Sequence, residues 1–553
     1  MGGILLPSSI KYTGGLRNWN VKGLQRDRCS CGYHVWRNIV RKEMYLRSMD
    51  AAAEKKPLSA DFWKYAALWL SVVAYASCRF SYTTRNVPYD HGLGFSIGMY
   101  GLSRRRDITD NEWMLWSEAF PLWFKWIAAH TVVSQVLLRC CRRALPFFYA
   151  IYTTVFMFAV FGWASLVMYY SVYVTMYLAA MSGVRTICYL VTGFFLAAVQ
   201  NDWIPENLTR ASYDEGTVVG ALTWTGLSWT ITRCLSFAID SIERGARPPL
   251  WNSLAYVFYF PCIIPGPLTN YGDFEKELQR PPRLWSFSLG TLRLFLDVGR
   301  CLLCYFLYNL LTHYFYVGAL RWRPEVVESM DGWSAAGFSL MTIIAFYLKY
   351  RVLYGMAAAL AALEGIHLPP PPKCILHVSL CSHLWKNFDR GLHLWLLRYI
   401  YVPMVGTSWR RVRSAAGAVA CFFFIWVWHG MHLSTTIWCS LNLAGILAEQ
   451  LVACFLDTEF GSKLMAKYSR WQRPIHAALS SASVAMSAAS CMFFLTGHDV
   501  GFIVTKKLLL GSPLSMVGLF LAFYCNGYAA LALRDWEKSD AKDVKRNRDV
   551  KND

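Results

Sequence analysis

Charged residues are scarce in this sequence. Asp, Glu, Lys and Arg together make up 16% of its 553 residues, whereas soluble domains carry about a quarter. Hydrophobic residues make up 55%, and many lie in uninterrupted runs of about 20, the length that crosses a bilayer as a helix. This composition excludes a soluble multi-domain protein. It predicts an all-α polytopic membrane protein with about 10–12 membrane segments, re-entrant elements included.

Acidic residues are fewer than basic ones, which gives a formal net charge of +20. The basic side chains lie in short segments between apolar runs, and this is the positive-inside pattern of cytoplasmic loops. A nucleic-acid-binding surface would instead gather basic residues into one patch or stripe. The sequence therefore predicts membrane lipid, and no nucleic acid, among the partners.

Two further features are missing. The first 60 residues contain no apolar core of a signal peptide, so we predict no cleavage and insertion through the first spanning segment. No internal repeat is detectable, which disfavours a transporter, because many transporters are built from repeats. We divide the chain into a basic cytoplasmic extension (1–60), a membrane-bound acyltransferase-type domain (61–533) and a charged tail (534–553) that we expect to be disordered.

Prolines interrupt one apolar stretch in the middle of the chain. Residues 255–261 end in Pro261, and Pro265 and Pro267 follow closely. Because proline breaks a helix, this stretch is predicted to enter the membrane and stop short, with an interfacial loop as the alternative. The charged residues 271–284 that come next are predicted to lie on the surface.

The segment from residue 373 to residue 430 organises the chain, because it sets Asp389 and His429 among apolar residues. An ionisable residue at the bilayer centre costs roughly 2.5–3.5 kcal/mol on insertion scales and marks a functional site. A continuous helix of about 40 residues would rise about 60 Å, twice the hydrocarbon thickness, so the chain must turn between them. A turn at residues 406–414 would return His429 to the depth of Asp389.

Lys386, Asp389, Arg390 and His393 are spaced three or four residues apart, so on a helix they would form one polar stripe. Either a ladder of internal ion pairs or a substrate-filled cavity explains such a stripe. His429 is likewise either a hydrogen-bonded core residue or the partner of Asp389. A carboxylate with an imidazole can deprotonate an amine, a thiol or a hydroxyl nucleophile.

The motif Trp428-His429-Gly430, with an acidic residue 40 positions before the histidine, resembles the membrane-bound O-acyltransferase family. Most members carry Asn at the upstream position. Asp at this position, here Asp389, is found in the members that acylate Hedgehog signalling proteins. The resemblance runs from about residue 60 to the last span and includes the stretches 255–261, 384–393, 398–403 and 494–501.

The resemblance implies a protein-cysteine N-palmitoyltransferase of the endoplasmic reticulum membrane, or of the Golgi, that crosses the membrane several times. Palmitoyl-CoA is the implied co-substrate, and the N-terminal cysteine amine of Hedgehog proteins is the implied acceptor. Asp389 and His429 carry over as the catalytic pair, with Asp389 preferred as the proton acceptor and the reverse assignment as the alternative. Trp385, Lys386 and Trp428 carry over as substrate-binding residues.

The resemblance also implies haem b ligated by Cys374, and thiolate ligation of haem iron is chemically reasonable. From the residues alone, Cys374 is an ordinary thiol. Lys386 departs from the family's Arg, which keeps the charge but loses the bidentate fork. Two other functions stay open: an O-acyltransferase acting on a hydroxyl of a lipid or secreted protein, and a non-catalytic relative that only binds acyl-CoA or a partner.

Overall fold

The structure is a computed structural model that describes residues 58–85, 94–201, 218–263, 266–280, 287–375, 378–406 and 411–552. Within these ranges the chain is helical almost throughout. The only strands there are β1 (Phe95–Ser96) and β2 (Arg106–Asp107), which pair antiparallel. The predicted all-α class is therefore confirmed, whereas most of the basic N-terminal extension lies outside the described residues.

The helices up to residue 363 are, in chain order, α1 (Ala60–Thr84), α2 (Asn111–Cys140), α3 (Leu145–Met181), α4 (Arg185–Gln200), α5 (Val218–Arg244), α6 (Leu250–Val257), α7 (Tyr271–Gln279), α8 (Phe287–Tyr314), α9 (Val317–Leu320), α10 (Pro324–Ser329) and α11 (Gly332–Leu363).

The helices after residue 363 are α12 (Cys381–Phe388), α13 (Arg390–Leu396), α14 (Val402–Val405), α15 (Arg411–Trp428), α16 (Leu433–Leu456), α17 (Glu459–Lys467), α18 (Gln472–Thr496), α19 (His498–Leu509) and α20 (Pro513–Asn552). A π-helical turn, Leu397–Tyr401, joins α13 to α14.

Six helices among the described residues are long and apolar enough to cross a membrane by length and composition, namely α3, α8, α11, α16, α18 and α20. Two shorter apolar helices, α4 and α15, accompany them. Large apolar side chains such as Phe158, Phe295 and Leu521 are more than half exposed, as expected of a surface that faces lipid. The chain is therefore a multi-pass membrane protein, as predicted.

The proline-interrupted stretch is buried inside the protein. Helix α6 stops at Val257, a 3₁₀ turn covers Phe260–Cys262, and the chain resumes as an extended segment at residues 266–270. Tyr256 and Phe258 are at most 2% exposed. This burial shows that the stretch packs inside the protein, while its depth in the membrane stays a prediction.

Two surface predictions differ from the structure. Residues 271–280, the described part of the segment predicted to lie on the surface, are not simply surface-lying, because Tyr271 and Phe274 on α7 are at most 2% exposed and pack against the short helix α6. Helix α20 continues to Asn552, through the tail for which we predicted disorder from residue 534. Charges of mixed sign along a helix also suit a solvent-exposed helical face, which explains why composition alone misled.

Candidate active site

The predicted turn between Asp389 and His429 is present. Helix α13, the π turn and α14 run on to Gly406, whose φ of 67° ends the helical path, and the chain is helical again from Arg411. Residues 407–410, which belong to the predicted turn at 406–414, lie outside the described residues. The two arms of this hairpin carry the candidate catalytic residues at their far ends.

Two contacts fix the register of the hairpin. Near the turn, the Tyr401 and Ser414 hydroxyl oxygens lie 2.7 Å apart, and farther along, the Trp395 and Phe424 ring centroids lie 5.0 Å apart. Asp389 lies six residues beyond Trp395, and His429 five residues beyond Phe424. Because both arms are helical, their rise per residue is the same, and the hairpin returns His429 to the depth of Asp389.

Both arms are partly accessible around Asp389 and His429. Every residue from 382 to 390 is half-buried, and so is every residue from 426 to 431. The predicted substrate-filled cavity and the alternative ladder of internal ion pairs both stay predictions.

Asp389 lies at a break between α12 and α13, with φ −114° and ψ 86°. The polar stripe predicted for residues 386–393 is therefore not on one continuous helix, because aspartate is a strong N-cap and begins a new helix here. Its Oδ1 accepts a hydrogen bond of 2.8 Å from the Leu392 amide. Its Oδ2 accepts one of 2.9 Å from the Tyr354 hydroxyl, so both carboxylate oxygens are held in orientation.

His429 follows the last residue of α15. Its imidazole packs edge-on against the rings of Trp438 and Phe494, at centroid distances of 5.3 and 5.0 Å. Gly430 and Met431 then take left-handed backbone conformations, with φ of 96° and 54°, and turn the chain into α16. The glycine of the Trp-His-Gly motif therefore has a structural reason, since only glycine adopts this conformation freely.

An aromatic cluster connects the two residues. Phe494 contacts both His429 and Phe346, the latter at a centroid distance of 6.2 Å. Phe346 stacks on Phe388, with centroids 5.1 Å apart and ring planes 3° from parallel. Since Phe388 directly precedes Asp389, the carboxylate and the imidazole flank the same cluster. The two residues that the sequence singled out therefore lie at the two ends of one series of ring contacts, and their pairing in catalysis stays a prediction.

The three predicted substrate-binding residues have different surroundings. Trp385 packs on Trp438 with a centroid distance of 5.3 Å, so it borders the same cluster as His429. Lys386 is half-buried in the last turn of α12. Trp428 packs against Trp229 of α5, with ring centroids 5.1 Å apart, and lies on the other side of the motif. A role in substrate binding stays a prediction for all three.

Helix α12 is positioned by side chains of α16. The Trp385 indole donates a hydrogen bond of 3.0 Å to Asn442 Oδ1. The Glu449 carboxylate accepts hydrogen bonds from the Cys381 and Ser382 amides, at 2.7 and 3.2 Å. These amides lie in the first turn of α12, where N–H groups have no acceptor within the helix. The carboxylate accepts their hydrogen bonds and also interacts favourably with the positive end of the helix dipole.

Glu449, Lys349 and Tyr354 are not among the residues predicted from the sequence. A signal existed for the first two, because each is an ionisable residue inside a predicted apolar span. Tyr354 carries no such signal, since tyrosine is common throughout this sequence. Its role emerges only from the hydrogen bond to Asp389, which lies 35 residues later.

Cys374 lies in the segment between α11 and α12 and is half-buried. The Arg351 guanidinium donates a hydrogen bond of 3.1 Å to the Pro372 carbonyl, two residues before the thiol, and Ile375 lines an apolar cavity of about 150 Å³. The described residues contain no group of three metal-ligating side chains. A single thiolate ligand needs no such group of side chains, so haem ligation by Cys374 stays a prediction.

The sequence profile of MBOAT, the membrane-bound O-acyltransferase family, matches residues 219–462, which include Asp389 and His429. The match covers 244 residues, a little under half of the chain, and shows similarity to this family over that region. Helices α1 to α4 and α18 to α20 lie outside the matched range.

Similar proteins extend the match to most of the chain. Protein-cysteine N-palmitoyltransferase HHAT of Mus musculus is 27% identical, over 77% of this chain and 88% of its own length. Protein-cysteine N-palmitoyltransferase Rasp of Drosophila melanogaster is 25% identical, over 76% and 84%. Membrane-bound O-acyltransferase gup1 of Schizosaccharomyces pombe is 26% identical over a shorter region, 50% of this chain and 46% of its own.

Proposed function

We propose that this protein transfers palmitate from palmitoyl-CoA to the amine of an N-terminal cysteine, on Hedgehog-type signalling proteins in the endoplasmic reticulum or Golgi membrane. The observation that carries the proposal is the Asp389 carboxylate, held by two hydrogen bonds and flanking the same aromatic cluster as His429. The mouse and fly relatives are both named protein-cysteine N-palmitoyltransferases, and this name supports a cysteine amine as the acceptor.

The chemistry needs a base of modest strength. A peptide α-amine has a pKa of about 7.7–8.0, so a fixed carboxylate can free it for attack. In the preferred assignment, Asp389 takes a proton from the amine and His429 polarises the thioester carbonyl. The new bond is C–N, the broken bond is C–S, and the leaving CoA thiolate ends as a thiol. The reverse assignment, with His429 as the base, gives the same products.

The acyl donor is proposed to lie along the half-buried arms of the hairpin. The aromatic cluster offers apolar contacts to the acyl chain, and Trp385 borders it directly. The Lys386 ammonium supplies a positive charge that suits the phosphates of CoA. Lysine binds a phosphate as a point charge, whereas arginine would bind it with two parallel hydrogen bonds. The backbone carbonyl of Trp428 accepts a hydrogen bond of 3.0 Å from the Gln200 side chain. This bond holds the backbone in place next to His429.

Haem on Cys374 belongs to the proposal as well. A bound haem would supply an iron–thiolate link that anchors the segment between α11 and α12, and the acyl transfer itself passes through Asp389 and His429 only. Purified protein is expected to show the absorption band of a thiolate-ligated haem, and Cys374→Ala is expected to lose it. An unchanged band in the variant would contradict this ligand.

A second candidate is transfer to a hydroxyl, since the fission-yeast relative is named an O-acyltransferase. In the test, purified protein is incubated with palmitoyl-CoA and two peptides. One peptide begins with cysteine, and the other carries a serine hydroxyl and a blocked amine. Hydroxylamine cleaves an ester or thioester product but leaves an amide intact. A hydroxylamine-resistant product on the cysteine peptide supports the proposal, and product on the serine peptide alone selects the second candidate.

A further inference from the structure

The connection between α16 and α18 lies apart from the candidate active site and takes no part in the proposed acyl transfer. After α16 ends at Leu456, the chain forms α17 and then a 3₁₀ turn, Ser469–Trp471, before α18 begins. Helices α16 and α18 are both long and apolar enough to cross a membrane. Because it joins the ends of two spans, this connection lies at the membrane surface.

The connection exposes a strip of large apolar side chains. Phe460, Leu464 and Tyr468 are spaced four residues apart, so they follow one another along one face of α17. They are 68%, 37% and 44% exposed, and Trp471 in the next turn is 60% exposed. Such a strip is unfavourable in water, whereas phenylalanine, tyrosine and tryptophan rings are favoured where the headgroups of a bilayer meet its acyl chains.

A second strip, beside the apolar one, is basic. Lys463 and Lys467 lie one turn apart on the helix, next to Phe460, and Arg470 follows in the 3₁₀ turn. Lys463 pairs with Glu459 at 2.6 Å. Among the described residues, no carboxylate lies within 4 Å of Lys467 or Arg470. The charges of these two exposed side chains are therefore open to an external anion.

Two contacts with the protein fix the orientation of α17. Gly461 is buried, and a Cβ at this position would overlap the carbonyl oxygen of Phe455 at the end of α16. At the other end, the Gln472 side chain of α18 donates a hydrogen bond of 3.0 Å to the Met465 carbonyl. Since both ends of the helix are held, the apolar and basic strips keep facing away from the protein.

We propose that residues 459–471 form a binding site for anionic phospholipid at the membrane surface. The apolar strip inserts between lipid molecules, and Lys467 and Arg470 bind the negatively charged headgroup. A zwitterionic headgroup carries its own cation, so charge complementarity selects an anionic lipid. Basic loops between spans lie on the cytoplasmic side, where anionic lipids are enriched. The proposal therefore places this connection on that side and is independent of the proposed acyl transfer.

The experiment is native mass spectrometry of the full-length protein in detergent, titrated with phosphatidylserine or with phosphatidylcholine. Wild type is expected to bind phosphatidylserine at least about tenfold more tightly than phosphatidylcholine. In Lys467→Gln/Arg470→Gln the affinity for phosphatidylserine is expected to fall to that for phosphatidylcholine, because both cations that attract the headgroup are removed. Lys467→Arg/Arg470→Lys keeps both charges and is expected to retain the preference.

The matched control is Lys276→Gln/Arg280→Gln. It removes two basic residues from α7, where each lies 2.9 Å from a carboxylate of the same helix, and it is expected to bind phosphatidylserine as wild type does. Equal affinity of wild type for the two lipids, or equal losses in the control and in Lys467→Gln/Arg470→Gln, overturns the proposal. Displacement of phosphatidylserine by inorganic phosphate also overturns it, because the site would then bind a soluble anion.

Discussion

At the scale of single residues, the site consists of two ionisable side chains whose partners come from distant parts of the chain. Asp389 and His429 could be predicted from the sequence, because each stands out as ionisable among apolar neighbours. Tyr354, which fixes the carboxylate, could not, because residue spacing does not reveal which face of α11 meets the break at Asp389. Nor did the spacing of the polar stripe reveal that break.

One prediction at this scale concerns Trp385. In Trp385→Phe the hydrogen bond to Asn442 is lost, and the ring beside the aromatic cluster is held less firmly. A hydrogen bond of this kind contributes about 1 kcal/mol, so KM for palmitoyl-CoA is expected to rise about fivefold with little change in kcat. Steady-state kinetics at varied palmitoyl-CoA measures this.

The matched control is Trp426→Phe. It removes an indole hydrogen bond of 2.8 Å to Thr436 between the neighbouring helices α15 and α16, without touching Trp385. Equal rises in KM for both variants would mean that general loosening, rather than the position of Trp385, governs donor binding.

At the scale of helices, the hairpin and the short helix α12 place the site. The hairpin was predictable from length alone, since two polar residues about 40 positions apart in apolar sequence cannot share one span. The positioning of α12 by Glu449 was not, because a carboxylate inside a span does not indicate which helix end it caps.

Glu449→Ala tests this capping. It leaves the Ser382 amide without its carboxylate acceptor and the Cys381 amide with only the Ser483 hydroxyl, at 2.8 Å. Loss of such a cap costs about 1–2 kcal/mol. The temperature of unfolding in detergent is expected to fall by a few degrees, and palmitoyl transfer is expected to fall with it. Glu459→Ala, which removes an ion pair with both side chains at least 74% exposed, is expected to leave both unchanged. A fall of equal size in the two variants would contradict the capping role.

Gly391 shows how closely the elements approach near the site. A Cβ at this position would overlap the Leu268 carbonyl oxygen in the extended segment after the buried helix α6. Gly391→Ala is expected to push α13 away and to abolish transfer in protein that still reaches the membrane. Gly193→Ala in α4, where a Cβ meets nothing within 4 Å, is the control. Activity retained in Gly391→Ala would show that the contact is not tight.

At the scale of the whole molecule, a buried ion pair ties the hairpin to the neighbouring helices. Arg398, in the π turn, lies 3.1 Å from Asp240 of α5, and both side chains are at most 8% exposed. Asp240 also accepts a hydrogen bond of 2.9 Å from the Gly272 amide of α7. The all-α multi-pass architecture could be predicted from composition, but this cross-link could not, because its partners lie in three separate elements.

Removing Arg398 takes a cation away from the buried Asp240 carboxylate and from Glu243, which Arg398 also contacts. Arg398→Gln is expected to destabilise the protein by about 3–5 kcal/mol, measured as loss of folded protein on heating in detergent. The double variant Asp240→Asn/Arg398→Gln is expected to be more stable than Arg398→Gln alone. Additive losses in the double variant would mean that the two side chains do not act as a pair.

The most direct measurement is transfer of labelled palmitate from palmitoyl-CoA to a peptide with an N-terminal cysteine. Wild type, Asp389→Ala and His429→Ala are compared as folded, purified protein. The account predicts amide formation by wild type, a loss of about a hundredfold or more in Asp389→Ala, and a reduced rate in His429→Ala. Wild-type rates in Asp389→Ala, or no amide from a folded wild type that binds palmitoyl-CoA, would contradict it.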